Sequence, residues 1–191
     1  MKYLKMLGLA AVAAMALSAF AAGSASATTL EVGGVTQTGA VAIEASIAAG
    51  NSAILKDTSG FSQNTCTTSV AKGSTETKTG AAVTGKLSSL TFSNCTRTVT
   101  VHKPGALEIV WISGGTNGTV YSEEAQVTSG SPIGTLNCTT GATTHIGTLT
   151  GVKSGSATMH INALINCGII SSAKWEGTYT VTSPAGLGVV S

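Results

Sequence analysis

The sequence predicts an all-β fold: a disulfide-stapled β-sandwich of roughly ten to twelve short strands, with a closed β-barrel as the alternative. Three observations carry this. Apolar residues alternate with hydroxyl residues in short runs, and 24 glycines punctuate the chain. Hydroxyl groups stand where charge usually does: 30 threonines and 19 serines lie between Thr28 and Ser191, while Asp, Glu, Lys and Arg make up only 9% of the chain. Threonine is β-branched and suits a half-exposed strand face. The third observation is four cysteines, an even count that reads as two bridges. A disordered Ser/Thr stalk is excluded, because Val, Ile and Leu recur steadily and there are only 3 prolines.

At the N-terminus, Lys2 and Lys5 flank the start of an apolar run of small residues, Met6–Ala22, and Ala25-Ser26-Ala27 has the small-x-small form of a cleavage site. Residues 1–27 read as a secretory signal peptide. Residues 28–191 then form one β domain, long enough to bury a core. The apolar run is short for a bilayer span, so no transmembrane anchor is expected after cleavage. Without Lys2 and Lys5, basic and acidic residues balance, and Arg97 is the lone arginine. That is no electrostatic footprint for nucleic acid, and no nucleic-acid partner is expected.

The elements follow in order. Thr29–Val35 reads as an opening strand. Val41, Ile43, Ala45 and Ile47 share one face of a strand or short helix. Lys56–Thr65 and Ala71–Gly80 read as polar loops around a strand near Cys66–Val70. Val83–Phe92 is extended. Pro104-Gly105 fits a type II turn joining two strands. Leu107, Ile109 and Trp111 face one way, and Asn117-Gly118 signals a hairpin. Tyr121–Thr128 returns. Met159, Ile161, Ala163 and Ile165 alternate with His160 and Asn162. Trp175, Gly177, Tyr179 and Val181 alternate with Glu176, Thr178, Thr180 and Thr182, the clearest strand in the chain.

Cys66 and Cys95 are 29 residues apart, and so are Cys138 and Cys167. The surroundings match as well: each first cysteine precedes two threonines, and each second one follows an asparagine. Two equivalent staples, Cys66–Cys95 and Cys138–Cys167, are the expected pairing. Each closes a loop worth roughly 3–4 kcal/mol in the chain-entropy model. Around Cys95 the strand phase slips, because Leu90 and Phe92 are apolar at even positions and Val99 and Val101 at odd ones. Either a β-bulge re-aims one strand, or two strands meet at a loop.

Catalytic chemistry finds little support. There is no G-x-S-x-G, Asp57 is the only aspartate, and Glu123-Glu124 point to opposite faces of a strand. His102, His145 and His160 have no metal-ligand spacing, and CxxC is absent. No catalytic residue, metal site or cofactor is expected. Trp111 and Tyr121 are the candidates for a ligand-binding platform, against core packing as the ordinary use of such rings.

The stretches "LTFSNCTRTVTVHKPGALEI", "GTNGTV", "IGTLTG", "ATMHINALI" and "AKWEGTYTVTSP" together resemble a set of small exported all-β proteins from actinobacteria. The resemblance spans Cys66–Pro184 and transfers no activity or site residues. A more distant likeness, in signal peptide, size, cysteines and Ser/Thr/Gly-rich strands, is to small secreted activators of alkane oxidation at the cell surface. The expected function is that of a secreted, non-enzymatic β-sandwich protein of the cell surface, with a matrix, adhesion or hydrophobic-substrate accessory role. Its partners would be the cell envelope or a second copy of itself. The rival readings are an extracellular small-ligand or glycan-binding module and an unrecognised hydrolase.

Overall fold

A computed structural model describes residues 27–191; the expected signal peptide occupies residues 1–27 and, but for Ala27, lies outside the described residues. In chain order the strands are β1 (Thr28–Val32), β2 (Val35–Thr36), β3 (Ala42–Ile47), β4 (Ala53–Asp57), β5 (Ser62–Thr75), β6 (Thr79–Gly80), β7 (Val83–Cys95), β8 (Val99–Lys103), β9 (Ala106–Trp111), β10 (Gly118–Glu123), β11 (Gln126–Ser131), β12 (Gly134–Thr139), β13 (Thr144–Thr150), β14 (Thr158–Ile165), β15 (Ala173–Ser183) and β16 (Leu187–Val190). One turn of 3-10 helix, Gly168–Ile170, joins β14 to β15.

Eight of these strands close on themselves. β3, β5, β7, β9, β10, β13, β14 and β15 pair antiparallel in that order, and β15 returns to β3. β4 continues β3 in the same slot: β3 pairs with Val70–Ser74 and Tyr179–Ser183, and β4 with Ser62–Cys66 and Ala173–Glu176. The all-β, stapled class therefore holds, and the closed barrel is its centre. Two smaller sheets add sandwich-like layers at its ends. β1, β2, β6 and β16 cover the end where β7, β10 and β14 begin, burying Leu30, Leu187 and Val189 against barrel residues such as Leu149. β8, β11 and β12 cover the opposite end. They are called the lid sheet below.

The alternations read from sequence set the inside of the barrel. Ile161, Ala163, Tyr179 and Val181 are buried, while His160 and Asn162 are exposed. An apolar interior and a hydroxyl-rich exterior are the inverse of a lipid-facing barrel. Among the described residues no helix is long and apolar enough to cross a membrane.

Several local expectations are corrected. β5 runs through much of both segments read as polar loops, because its polar residues serve both faces: Lys72 and Ser74 are exposed, while Gln63, Asn64 and Thr75 are buried with hydrogen-bond partners. The phase slip at Cys95 is a strand boundary: Asn94 turns left-handed (φ 51°), β7 ends at Cys95, and Val99 starts β8 in the other sheet. Asn117-Gly118 does end a hairpin loop between β9 and β10. Gly118 is there for space, however, since a Cβ would lie 2.5 Å from Ile109 Cγ2.

Pro104-Gly105 does join two strands, but it carries the chain from the lid sheet into the barrel. Gly105 has φ +82°, and a Cβ there would lie 2.3 Å from the Glu123 carbonyl oxygen. Left-handed strain and the backbone clash act together, so Gly105→Ala should cost about 2–4 kcal/mol. The urea unfolding midpoint checks this.

Candidate functional site

The lid sheet does not lie flat on the barrel rim. Beneath it is a half-open cavity of about 80 Å³, walled by Val127 and Cys138 from the lid and by Leu55, Leu90, Phe92 and Trp175 from the barrel. Two more cavities continue along the interior. The central one, about 40 Å³, shares Leu90, Ala125 and Trp175 with the lid chamber. The third, about 70 Å³ beside the β1–β16 end, shares Ala71, Leu87, Leu107 and Met159 with the central one. Eight strands give an interior that side chains fill or that holds one small ligand. Here small inward residues, among them Ala53, Ala71 and Ala125, leave room.

Three aromatic rings run along this interior. Phe92 and Trp175 meet edge to face at 6.4 Å, and Trp175 and Tyr179 at 6.5 Å. Tyr179, 2% exposed, donates its hydroxyl hydrogen to Ser69 Oγ at 2.9 Å. Burial pushes its pKa up to about 12, partly offset by the Ser69 bond. The sign follows from linkage. Between the ordinary value of 10.0 and about 12, the unfolded chain releases a proton that the folded chain keeps. This contribution is complete below pH 10.0 and is lost as pH rises toward about 12. Urea midpoints measured over that range should fall more steeply for the wild type than for Tyr179→Phe.

Three polar side chains of the lid-chamber wall, Asn64, Ser129 and Thr140, are already paired. Asn64, 3% exposed, uses its full capacity. Its Nδ2 donates to the Arg97 carbonyl and to Ser129 Oγ, each at 3.0 Å. Its Oδ1 accepts from Thr96 Oγ1 at 2.9 Å and from the Arg97 N–H at 3.1 Å. Thr140 Oγ1 accepts the Ala125 N–H at 2.8 Å and lies 3.3 Å from Ser122 Oγ. Asn64 thus pins the lid to the rim and offers nothing to a ligand. Gln63 Oε1 is the buried side-chain atom without a hydrogen-bond partner among the described residues, and Gln63 is not part of this wall.

Both expected staples form, each with Cα atoms 3.9 Å apart, and no free cysteine remains among the described residues. Cys66–Cys95 joins two strands that already share a ladder. Cys138–Cys167 joins β12 to the chain after β14, where the backbone link is the single Thr139–Asn166 bridge. Closed disulfides are made where thiols are oxidised, outside a reducing cytosol.

The two platform candidates do not come together. Trp111 packs against the barrel core near the β1–β16 end, and its indole N–H donates to the Gly115 carbonyl at 2.8 Å. Tyr121 points outward, edge to face with His145 at 5.6 Å. Neither lines the lid chamber. His102 and His160 pair with Thr128 and Thr178. Glu124 pairs with Lys103, and Glu176 with Lys174 and Lys56; these lysines hold both carboxyls below the usual range. Among the described residues no three His, Cys, Asp or Glu side chains gather to hold a metal. Neither a protein-family model, a curated protein nor a solved structure matches the chain.

Proposed function

We propose that this chain is an exported binding protein whose barrel takes a small apolar molecule, and that it acts at or near the cell surface without catalysing a reaction. The observation that carries the reading is the lid chamber: a cavity walled by Leu90, Phe92, Val127 and Trp175 in which Asn64, Ser129 and Thr140 are hydrogen-bonded within the protein. Apolar cavities of about 150 Å³ stay dry and take benzene or xenon. The lid chamber alone, about 80 Å³, is within a factor of about two of that. Export is supported by the N-terminal sequence and by the two bridges. An accessory role toward hydrophobic molecules fits this geometry best. A matrix or adhesion role rests on the hydroxyl-rich surface alone.

Benzene is a direct probe. At ten times its dissociation constant it should stabilise the fold by about 1.4 kcal/mol, raising the thermal midpoint by roughly 3–6 °C with saturation. A midpoint that falls, or that drifts without saturating, contradicts the reading.

A further inference from the structure

The shape and chemistry of the interior select a ligand class. We infer that the barrel binds an unbranched, uncharged hydrocarbon chain, which starts in the lid chamber and runs past Leu90, Ala125 and Trp175 into the central chamber. This rests on the reading of the barrel as a ligand-binding interior and goes beyond it by naming what fits.

Three observations carry it. The chambers lie in series, and each neighbouring pair shares lining side chains, Leu90, Ala125 and Trp175 at the first junction and Ala71, Leu87, Leu107 and Met159 at the second. A compact molecule large enough to fill two of them would displace that wall, whereas a chain one methylene wide crosses at a single point. The smallest member of the first wall is Ala125, which leaves the crossing least obstructed there. The second wall contains Met159, whose unbranched thioether adapts its rotamer at low cost. The third observation is polar satisfaction. Asn64 has no free donor or acceptor, Thr140 accepts the Ala125 N–H beside Ser122, and Tyr179 is committed to Ser69. A hydroxyl or carboxyl group carried inward would lose its water and meet only an Asn64 already at full capacity and hydroxyls already engaged with one another. A hydrocarbon chain loses nothing by entering, and each added methylene gains burial.

The test uses Trp175 as its own reporter. It lines both the lid and the central chambers, and the other tryptophan, Trp111, lines none of the three. In a Trp111→Phe background, quenching of Trp175 fluorescence is titrated with 1-bromobutane, 1-bromohexane and 1-bromooctane, and with bromocyclohexane as the compact counterpart. Affinity should rise about fourfold per methylene along the linear series. Bromocyclohexane should bind at least about tenfold more weakly than 1-bromohexane. Ala125→Leu narrows the crossing, so the gain should stop at 1-bromobutane. Leu90→Ala widens it and should strengthen 1-bromooctane binding, which keeps the test decisive if Ala125→Leu does not fold.

The outcomes separate the two claims. If benzene stabilises the protein but the linear series is flat, or the ring binds as well as the chain, the chain inference is wrong and the binding reading stands. If neither benzene nor any bromoalkane binds, both fall.

Discussion

Replacing Trp175 by alanine should cost about 3 kcal/mol, the low end of the range for emptying a large aromatic site, because the ring is only partly buried. Its ring meets both Phe92 and Tyr179 edge to face, packs against both core clusters, and forms part of the wall between two chambers. Each aromatic contact adds about 0.5–1.5 kcal/mol beyond area burial. Removing the ring also merges the chambers, so the lost contacts are not regained by collapse. Urea unfolding should show a lowered midpoint at unchanged slope. A cost below about 1 kcal/mol would mean that the interior closes around the gap, against a preformed cavity.

The second large effect separates the two disulfides. Both close loops with the same separation of 29 residues. The chain-entropy term is therefore about 3–4 kcal/mol for each, and the two double mutants should lose similar stability. Their functional consequences should differ. Cys66→Ser/Cys95→Ser leaves β5 and β7 held by one of the longest ladders in the barrel, so the lid stays seated. Cys138→Ser/Cys167→Ser leaves the lid's β12 edge attached to the barrel by the Thr139–Asn166 bridge and the packing of Leu136. In the cold, where both variants remain folded, proteolysis should cut the β11–β12 hairpin only in the second variant, and benzene stabilisation should vanish only there. Equal behaviour of the two variants would remove the lid from the account.

The parts legible in the sequence were those set by local alternation and by the cysteine spacing. Met159–Ala163 and Trp175–Val181 declare their inward faces because polar or small residues alternate with the apolar ones; exposed Leu164 is the exception that follows. The equal cysteine spacing points to the pairing, together with the two threonines after each first cysteine and the asparagine before each second one. Closure into a barrel is less legible. It depends on β15 pairing with β3, for example Tyr179 opposite Ile47, far apart in the chain, and no local pattern encodes that choice. β5 was hidden for a different reason. Its exposed Lys72 and inward Gly73 look like loop residues, yet Gly73 is required because a Cβ there would lie 2.3 Å from the Lys86 carbonyl oxygen. The chamber has a faint signal, small residues at inward strand positions such as Ala53 and Ala71. The large aromatics of the sequence point instead to Trp111 and Tyr121, which the fold uses for packing and for the outer surface.

The most direct test of the central claim is diffraction from crystals pressurised with xenon. Xenon is apolar, needs no hydrogen bond, and enters cavities that water avoids. The account predicts an anomalous peak under the lid sheet, within van der Waals contact of Leu90, Phe92, Val127 and Trp175. Xenon found only at the surface, or ordered water in that chamber, would contradict an apolar ligand-binding interior.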